Sequence, residues 1–155
     1  MASRLHPPRR RGLNRREAVA AIGTACALAP GAAFATPDTA RKLLADLVRA
    51  APKAGKVKIE APEIAENGNS VPVSVSVDSP MNPTDYVRAI HVIADRNPQP
   101  GVASFLLTPA NGRAEVHLRM RMAESQNVIV VAELSDGSAW TATREVKVTV
   151  GGCST

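Results

Sequence analysis

Between residues 71 and 78 every second side chain is valine. Val71, Val73, Val75 and Val77 alternate with Pro72, Ser74, Ser76 and Asp78. A period of two places the valines on one side of an extended strand and the small polar groups on the other, so the segment has one face to bury and one to wet. A helix turning every 3.6 residues would scatter the same valines around its axis. The alternation returns at Ala114, Val116, Leu118, Met120 and Met122 against Glu115, His117, Arg119 and Arg121, and again at Val146, Val148 and Val150 against Lys147 and Thr149. Val128-Ile129-Val130-Val131 is apolar on both faces and predicts a central strand. Further strands are expected near 56–60, 87–94 and 103–108. Turn signals separate these segments: Asn67-Gly68-Asn69, Asn82-Pro83, Asn97-Pro98-Gln99-Pro100-Gly101, Asn111-Gly112 and Asp136-Gly137, the last two predicting hairpins. About seven short strands with such turns predict an all-β, immunoglobulin-like antiparallel β-sandwich, with a barrel as the alternative.

One helix is expected ahead of the strands, near 37–50. Thr36 can cap it and Pro37 suits its first turn. Ala40, Leu43, Leu44, Leu47, Val48 and Ala51 form one apolar stripe, which packs on the domain edge or meets a partner, packing being the simpler use. No internal repeat and no second domain is visible.

The charge is concentrated at one end. Of 19 basic and 14 acidic residues, six arginines and Glu17 precede Thr36, which leaves 13 of each beyond it. A nucleic-acid surface needs clustered cations to displace phosphate counterions, and the neutral remainder has none. Neutrality also favours an apolar interface over electrostatic steering for any stable partner. The basic start ends in Asn14-Arg15-Arg16-Glu17, an apolar stretch runs from Ala18 to Ala29, and Ala33-Phe34-Ala35 gives a small-x-small cleavage pattern. This predicts a cleaved export signal over 1–35 of the twin-arginine type and a periplasmic destination, with an ordinary secretory signal as the alternative. The apolar stretch is too short and too rich in alanine for a transmembrane span. Gly23, three residues before Cys26, excludes a lipoprotein signal. The exported portion then comprises a helix and an immunoglobulin-like domain over 36–150 and an arm over 151–155.

Removing the signal removes Cys26. Cys153 remains as the lone thiol, in an oxidising compartment, so no internal disulfide forms and an intermolecular or reactive sulfur is implied. It follows Gly151 and Gly152, whose lack of a Cβ makes them an arm hinge, and no basic side chain adjoins it in sequence to stabilise a thiolate. Such a thiol suits carriage of a group into another protein's cleft better than catalysis of its own. His117 falls on the wet face. His91 lies in a strand as a structural histidine, and no metal-site spacing is present. Trp140 is assigned to the sandwich core. No nucleophile motif or phosphate-binding loop occurs.

Three stretches carry a family resemblance. Ala61-Pro62-Glu63-Ile64-Ala65-Glu66-Asn67-Gly68-Asn69-Ser70-Val71-Pro72-Val73 is one. Asp78-Ser79-Pro80-Met81 with Ala89-Ile90-His91-Val92 is a second. Ser135-Asp136-Gly137-Ser138-Ala139-Trp140-Thr141-Ala142-Thr143-Arg144-Glu145-Val146-Lys147-Val148, running on to Gly151-Gly152-Cys153, is the third. Together they resemble the SoxY family of sulfur-carrier subunits over nearly the whole chain. The resemblance implies a non-catalytic, periplasmic carrier that holds intermediates of thiosulfate oxidation covalently on Cys153 and needs no cofactor or metal. It also implies partners: a SoxZ-like subunit in a heterodimer or larger assembly, a haem-containing conjugating enzyme, a sulfate-releasing hydrolase and a sulfur dehydrogenase. A Cys153-linked dimer is a further expectation; nucleic acid and membrane are not partners. The family tail reads Gly-Gly-Cys-Gly-Gly, whereas Ser154 and Thr155 follow the cysteine here. The rival readings are an exported structural module with an incidental thiol and an independent thiol oxidoreductase, although the latter would want a resolving cysteine.

Replacing Arg15 and Arg16 by Lys should leave unprocessed precursor in the cytoplasm, read by immunoblot of cell fractions. Normal processing of that variant contradicts the twin-arginine reading.

Overall fold

The computed structural model describes residues 37–151. The signal region with Arg15, Arg16 and Cys26, and the tail from Gly152 through Cys153 to Thr155, lie outside the described residues.

The described chain starts with helix α1 (Pro37–Leu47) and continues through β1 (Lys53–Ala54), β2 (Val57–Glu60), β3 (Ile64–Ala65), β4 (Val71–Val77), β5 (Val87–Ala94), β6 (Gly101–Leu106), β7 (Glu115–Met120), β8 (Gln126–Leu134) and β9 (Ala139–Val148). Two sheets form a sandwich. One runs β1-β9-β8-β5-β6, with β3 also paired to β9; the other runs β2-β4-β7. Pairing is antiparallel throughout, except that β1 and β3 lie parallel to β9.

The valine alternation does what its period requires. Val71, Val73, Val75 and Val77 are all buried, and they face Ile90 and Val92 of β5, Val128 and Val130 of β8, and Val146 of β9 in one core. β8 is central, between β9 and β5, as its two apolar faces predict. Its outer face is covered at Val131 by the end of α1: Val48, the residue after the helix, packs with Val131 and Ala139, with Leu44 and Leu47 alongside. The helix stripe is therefore used within the domain. The helix ends at Leu47, three residues short of the expected limit, with the Val48 N–H donating to the Leu44 carbonyl at 3.0 Å.

The two predicted hairpins have different outcomes. Asp136-Gly137 does reverse the chain between β8 and β9: Gly137 takes φ 82° and its N–H donates to the Leu134 carbonyl at 3.1 Å. Asn111-Gly112 does not make a hairpin. It lies in a single 3₁₀ turn, Pro109–Asn111, on the path from β6 in one sheet to β7 in the other. The Asn111 Oδ1 instead accepts from the Thr108 N–H at 2.8 Å, holding the crossover together.

His91 on β5 is buried, with Nδ1 2.8 Å from the Ser104 Oγ on the neighbouring β6. Burial pushes its imidazole below the ordinary value of 6.5, partly offset by Glu133. The unfolded chain therefore binds this proton more readily than the folded one. The His91 contribution is complete above the ordinary value and is lost as pH falls through and below it. Urea midpoints should fall between about pH 7 and about pH 5.5, and the fall should be shallower in His91→Gln. Parallel pH profiles for the two proteins would contradict this assignment.

Candidate carrier site at the end of the last strand

β9 leads directly to the arm. It pairs with β8 over eight residues, from Ala139 opposite Glu133 to Val146 opposite Gln126. Beyond that register the chain leaves β8 but is not released. The Val148 N–H donates to the Ser125 Oγ at 2.9 Å. The Thr149 N–H donates to the Ala65 carbonyl at 3.1 Å, and its hydroxyl to the Glu66 carbonyl at 2.9 Å. The Gly68 N–H donates to the Val150 carbonyl at 2.8 Å. The final strand is thus gripped on one side by the 65–68 segment and on the other by the 122–125 loop.

Gly151 is the last described residue, and it is exposed. A Cβ placed on it would fall well inside van der Waals contact with the backbone carbonyl oxygen of Ala123. Glycine is required here by close approach of two backbones, in addition to any freedom it gives the segment that follows.

The loop against which Gly151 rests is braced in turn. The Asn97 Oδ1 accepts from the Ala123 N–H at 3.1 Å and from the Gln126 Nε2 at 2.8 Å, while its Nδ2 donates to the Arg121 carbonyl at 2.8 Å. Gln126 is buried and its Oε1 accepts from the Arg96 N–H at 3.0 Å. Asp95, also buried, accepts from both the backbone N–H and the side-chain Nδ2 of Asn127, at 2.9 and 2.8 Å. Buried polar groups satisfied this fully rigidify what they join. Sequence reading took Asn97 only as a turn residue and did not single out Asp95, Gln126 or Ser125. Their one signal is a cluster of amides and a carboxylate at the ends of otherwise apolar strands.

The remaining candidates lie elsewhere. His117 is on the outer face of the second sheet, with Nδ1 2.8 Å from the Ser74 Oγ and Nε2 3.3 Å from the Glu115 carboxylate. Trp140 is only partly buried; it packs against the core edge, with the Lys56 ammonium 5.3 Å from its ring centre. Among the described residues no group of three or more His, Cys, Asp or Glu side chains is placed to hold a metal ion. No described helix is long and apolar enough to cross a membrane.

Comparisons with known proteins identify the family. The family model described as sulfur oxidation protein SoxY matches residues 41–153, a span that takes in both the gripped strand and Cys153. The chain belongs to the SoxY family. A SoxY-family structure, the sulfur carrier protein SoxY from Chlorobium limicola f thiosulfatophilum, is 38% identical, with 71% of this chain and 96% of that chain covered and a TM-score of 0.59. The fold alone is shared with a superoxide reductase (neelaredoxin) from Ignicoccus hospitalis, 21% identical, with 74% of this chain and 94% of that chain covered and a TM-score of 0.55. It is shared too with the superoxide reductase from Nanoarchaeum equitans, 10% identical, with 62% and 100% covered and a TM-score of 0.54. No curated protein sequence gives a significant match.

In this SoxY-family chain, Gly151→Ala should loosen the grip without unfolding the sandwich. Hydrogen exchange of the Gly68 amide, whose acceptor is the Val150 carbonyl, should accelerate about tenfold while the amides of β8 keep their protection. Unchanged exchange at Gly68 would show that the close approach to Ala123 imposes no constraint.

Proposed function

We propose that the chain is a periplasmic sulfur carrier that holds oxidation intermediates covalently on Cys153, with Gly151 and Gly152 at the base of its arm, and that it catalyses nothing itself. One observation carries this reading. The sole cysteine beyond the signal stands two residues after Gly151, the point where a strand gripped on both sides comes to the surface. A rigid body that ends beside a thiol presents that thiol at a defined place. The family match through residue 153, and the sulfur-carrier title of the Chlorobium structure, support the same use.

The chemistry is then supplied by partners. A haem-containing enzyme joins the Cys153 sulfur to the terminal sulfur of thiosulfate. An S–S bond forms, the thiol proton goes to solvent and two electrons go to the haem centres. A hydrolase adds water to the sulfonate, releasing sulfate and a proton and leaving a persulfide on Cys153. A sulfur dehydrogenase takes electrons from that outer sulfur onto its own redox centre while water supplies oxygen and protons leave to solvent, and the hydrolase then releases the resulting sulfonate as sulfate and restores the Cys153 thiol. Beside these enzymes stands a SoxZ-like subunit, paired with this chain through an apolar interface and exported with it by the twin-arginine route. Ser154 and Thr155 add bulk beside the thiol where the family has glycine, so they bear on entry into partner clefts before they bear on carriage.

Intact-mass measurement after incubation with thiosulfate and the cognate haem-containing enzyme should show the adduct on the wild-type chain and none on Cys153→Ser. That variant should keep its fold and its partner subunit. Thiosulfate-dependent electron transfer that persists in Cys153→Ser would sink the carrier reading, and a wild-type chain that never gains mass would favour a structural module.

A further inference from the structure

Gly151 rests on one residue of the 121–126 loop, and that residue is itself held from behind. The Ala123 carbonyl oxygen is the atom that a Cβ on Gly151 would strike. The Ala123 N–H donates to the Asn97 Oδ1 at 3.1 Å. The Arg121 carbonyl accepts from the Asn97 Nδ2 at 2.8 Å, so the peptide groups on either side of Met122 are both bound to one side chain. The Gln126 Nε2 donates to the same Oδ1 at 2.8 Å, and Gln126 stands opposite Val146 in the β8–β9 register. Asn97 therefore ties the loop at both ends, and the loop meets β9 at Val146, Val148 and Gly151.

This bonding pattern requires an asparagine. A backbone N–H only donates and a backbone carbonyl accepts, so Ala123 and Arg121 between them fix which way the amide points. An aspartate would keep the bonds at Oδ1 but set a charged oxygen against the Arg121 carbonyl. An alanine would leave all three groups without their partner. The bonds nearby do not replace it. Asp95 and the Arg96 N–H hold Asn127 and Gln126, and the Gly68 carbonyl holds the Met122 N–H; none of these bonds is to Ala123.

The place of the arm root matters because Cys153 follows so soon. It is two residues beyond Gly151, so their Cα atoms are at most about 7 Å apart. Over that span a shift of the root reaches the sulfur little diminished, and misplacing a reacting atom by about 1 Å can cost about a hundredfold in rate. We propose that Asn97 is a positioning residue for the loading of Cys153: by holding Ala123 against Gly151 it fixes the point from which the arm starts. This rests on the carrier reading of Cys153 and adds to it a residue on another loop that sets the geometry of the reaction. A fixed root acts within the complex and not on the encounter, so its loss lowers kcat and leaves KM alone.

The test uses the mature chain with its partner subunit, the cognate haem-containing enzyme and thiosulfate, with the carrier as the varied substrate. In Asn97→Ala, kcat should fall about tenfold and the KM for the carrier should change less than about twofold. Asn97→Asp keeps the Ala123 bond and should fall between Asn97→Ala and the wild type; should Asn97→Ala fail to fold, it carries the same comparison. Asn111→Ala is the control. Asn111 also holds a backbone N–H, that of Thr108, but before β7, at the opposite end of that strand from the 121–126 loop, so its loss should leave kcat unchanged. The rate of Cys153 alkylation by iodoacetamide should be the same in all four proteins. A nitroxide attached to Cys153 should give a narrower EPR spectrum in Asn97→Ala than in the wild type, measured well below the melting temperature of either. An unchanged kcat or an unchanged EPR spectrum overturns the proposal, as does an equal fall of kcat in Asn111→Ala, which would trace the effect to general stability. A rise in KM alone would put Asn97 in contact with the enzyme, and altered alkylation would put its effect on the reactivity of the thiol; either result also overturns it. Failure of the carrier reading looks different, since the wild type itself would then gain no mass from thiosulfate.

Discussion

The pairing of β9 with β8 is the interaction on which the rest depends. β8 is buried on its inner face by the valines of the opposite sheet and covered at Val131 on its outer face by the end of α1 and the residues after it, and it is among the least mobile parts of such a fold. β9 borrows that rigidity across eight paired residues and conveys it to its own end. There the Ser125, Ala65, Glu66 and Gly68 bonds take over, holding Val148, Thr149 and Val150 in turn until Gly151 meets Ala123. A thiol placed two residues farther on inherits a fixed origin and a short reach.

Much of this was legible in the sequence because period two is a strong signal. Four alternating valines specify a half-buried strand with little help from elsewhere, and the two-faced Val128–Val131 run specifies a central one. β1 and β3 were not legible, since a strand of two residues has no period and a parallel partner far along the chain leaves no local trace. Asn111-Gly112 misled for a related reason. The dipeptide encodes a reversal in the backbone, not the sheet that receives the next strand, and here β7 crosses to pair with β4. The grip on the arm root was hidden for the most physical reason of all. Asn97, Ala123, Gln126, Gly68 and Val150 come from separate segments, and nothing in any one of them announces the others. Gly151 was visible as a glycine before a cysteine, but its contact with the Ala123 carbonyl required the fold.

The sandwich is shared with superoxide reductases at low identity, a reminder that the same two sheets serve unrelated chemistry and that function is lodged in what is attached to them. Among the described residues both histidines are bound to serines, His91 to Ser104 on the neighbouring β6 and His117 to Ser74 on the outer face of the second sheet. What distinguishes the described part of the molecule is the gripped strand that comes to the surface at Gly151, two positions before Cys153 in the sequence.

The most direct test of the central claim is the mass of the Cys153 peptide from protein isolated from its own periplasm during growth on thiosulfate. A covalent carrier should show sulfur-bearing adducts on that cysteine, with masses that shift when the oxidation is interrupted at a later enzyme. A peptide found only as the free thiol or as a Cys153–Cys153 disulfide, whatever the state of the pathway, would contradict it.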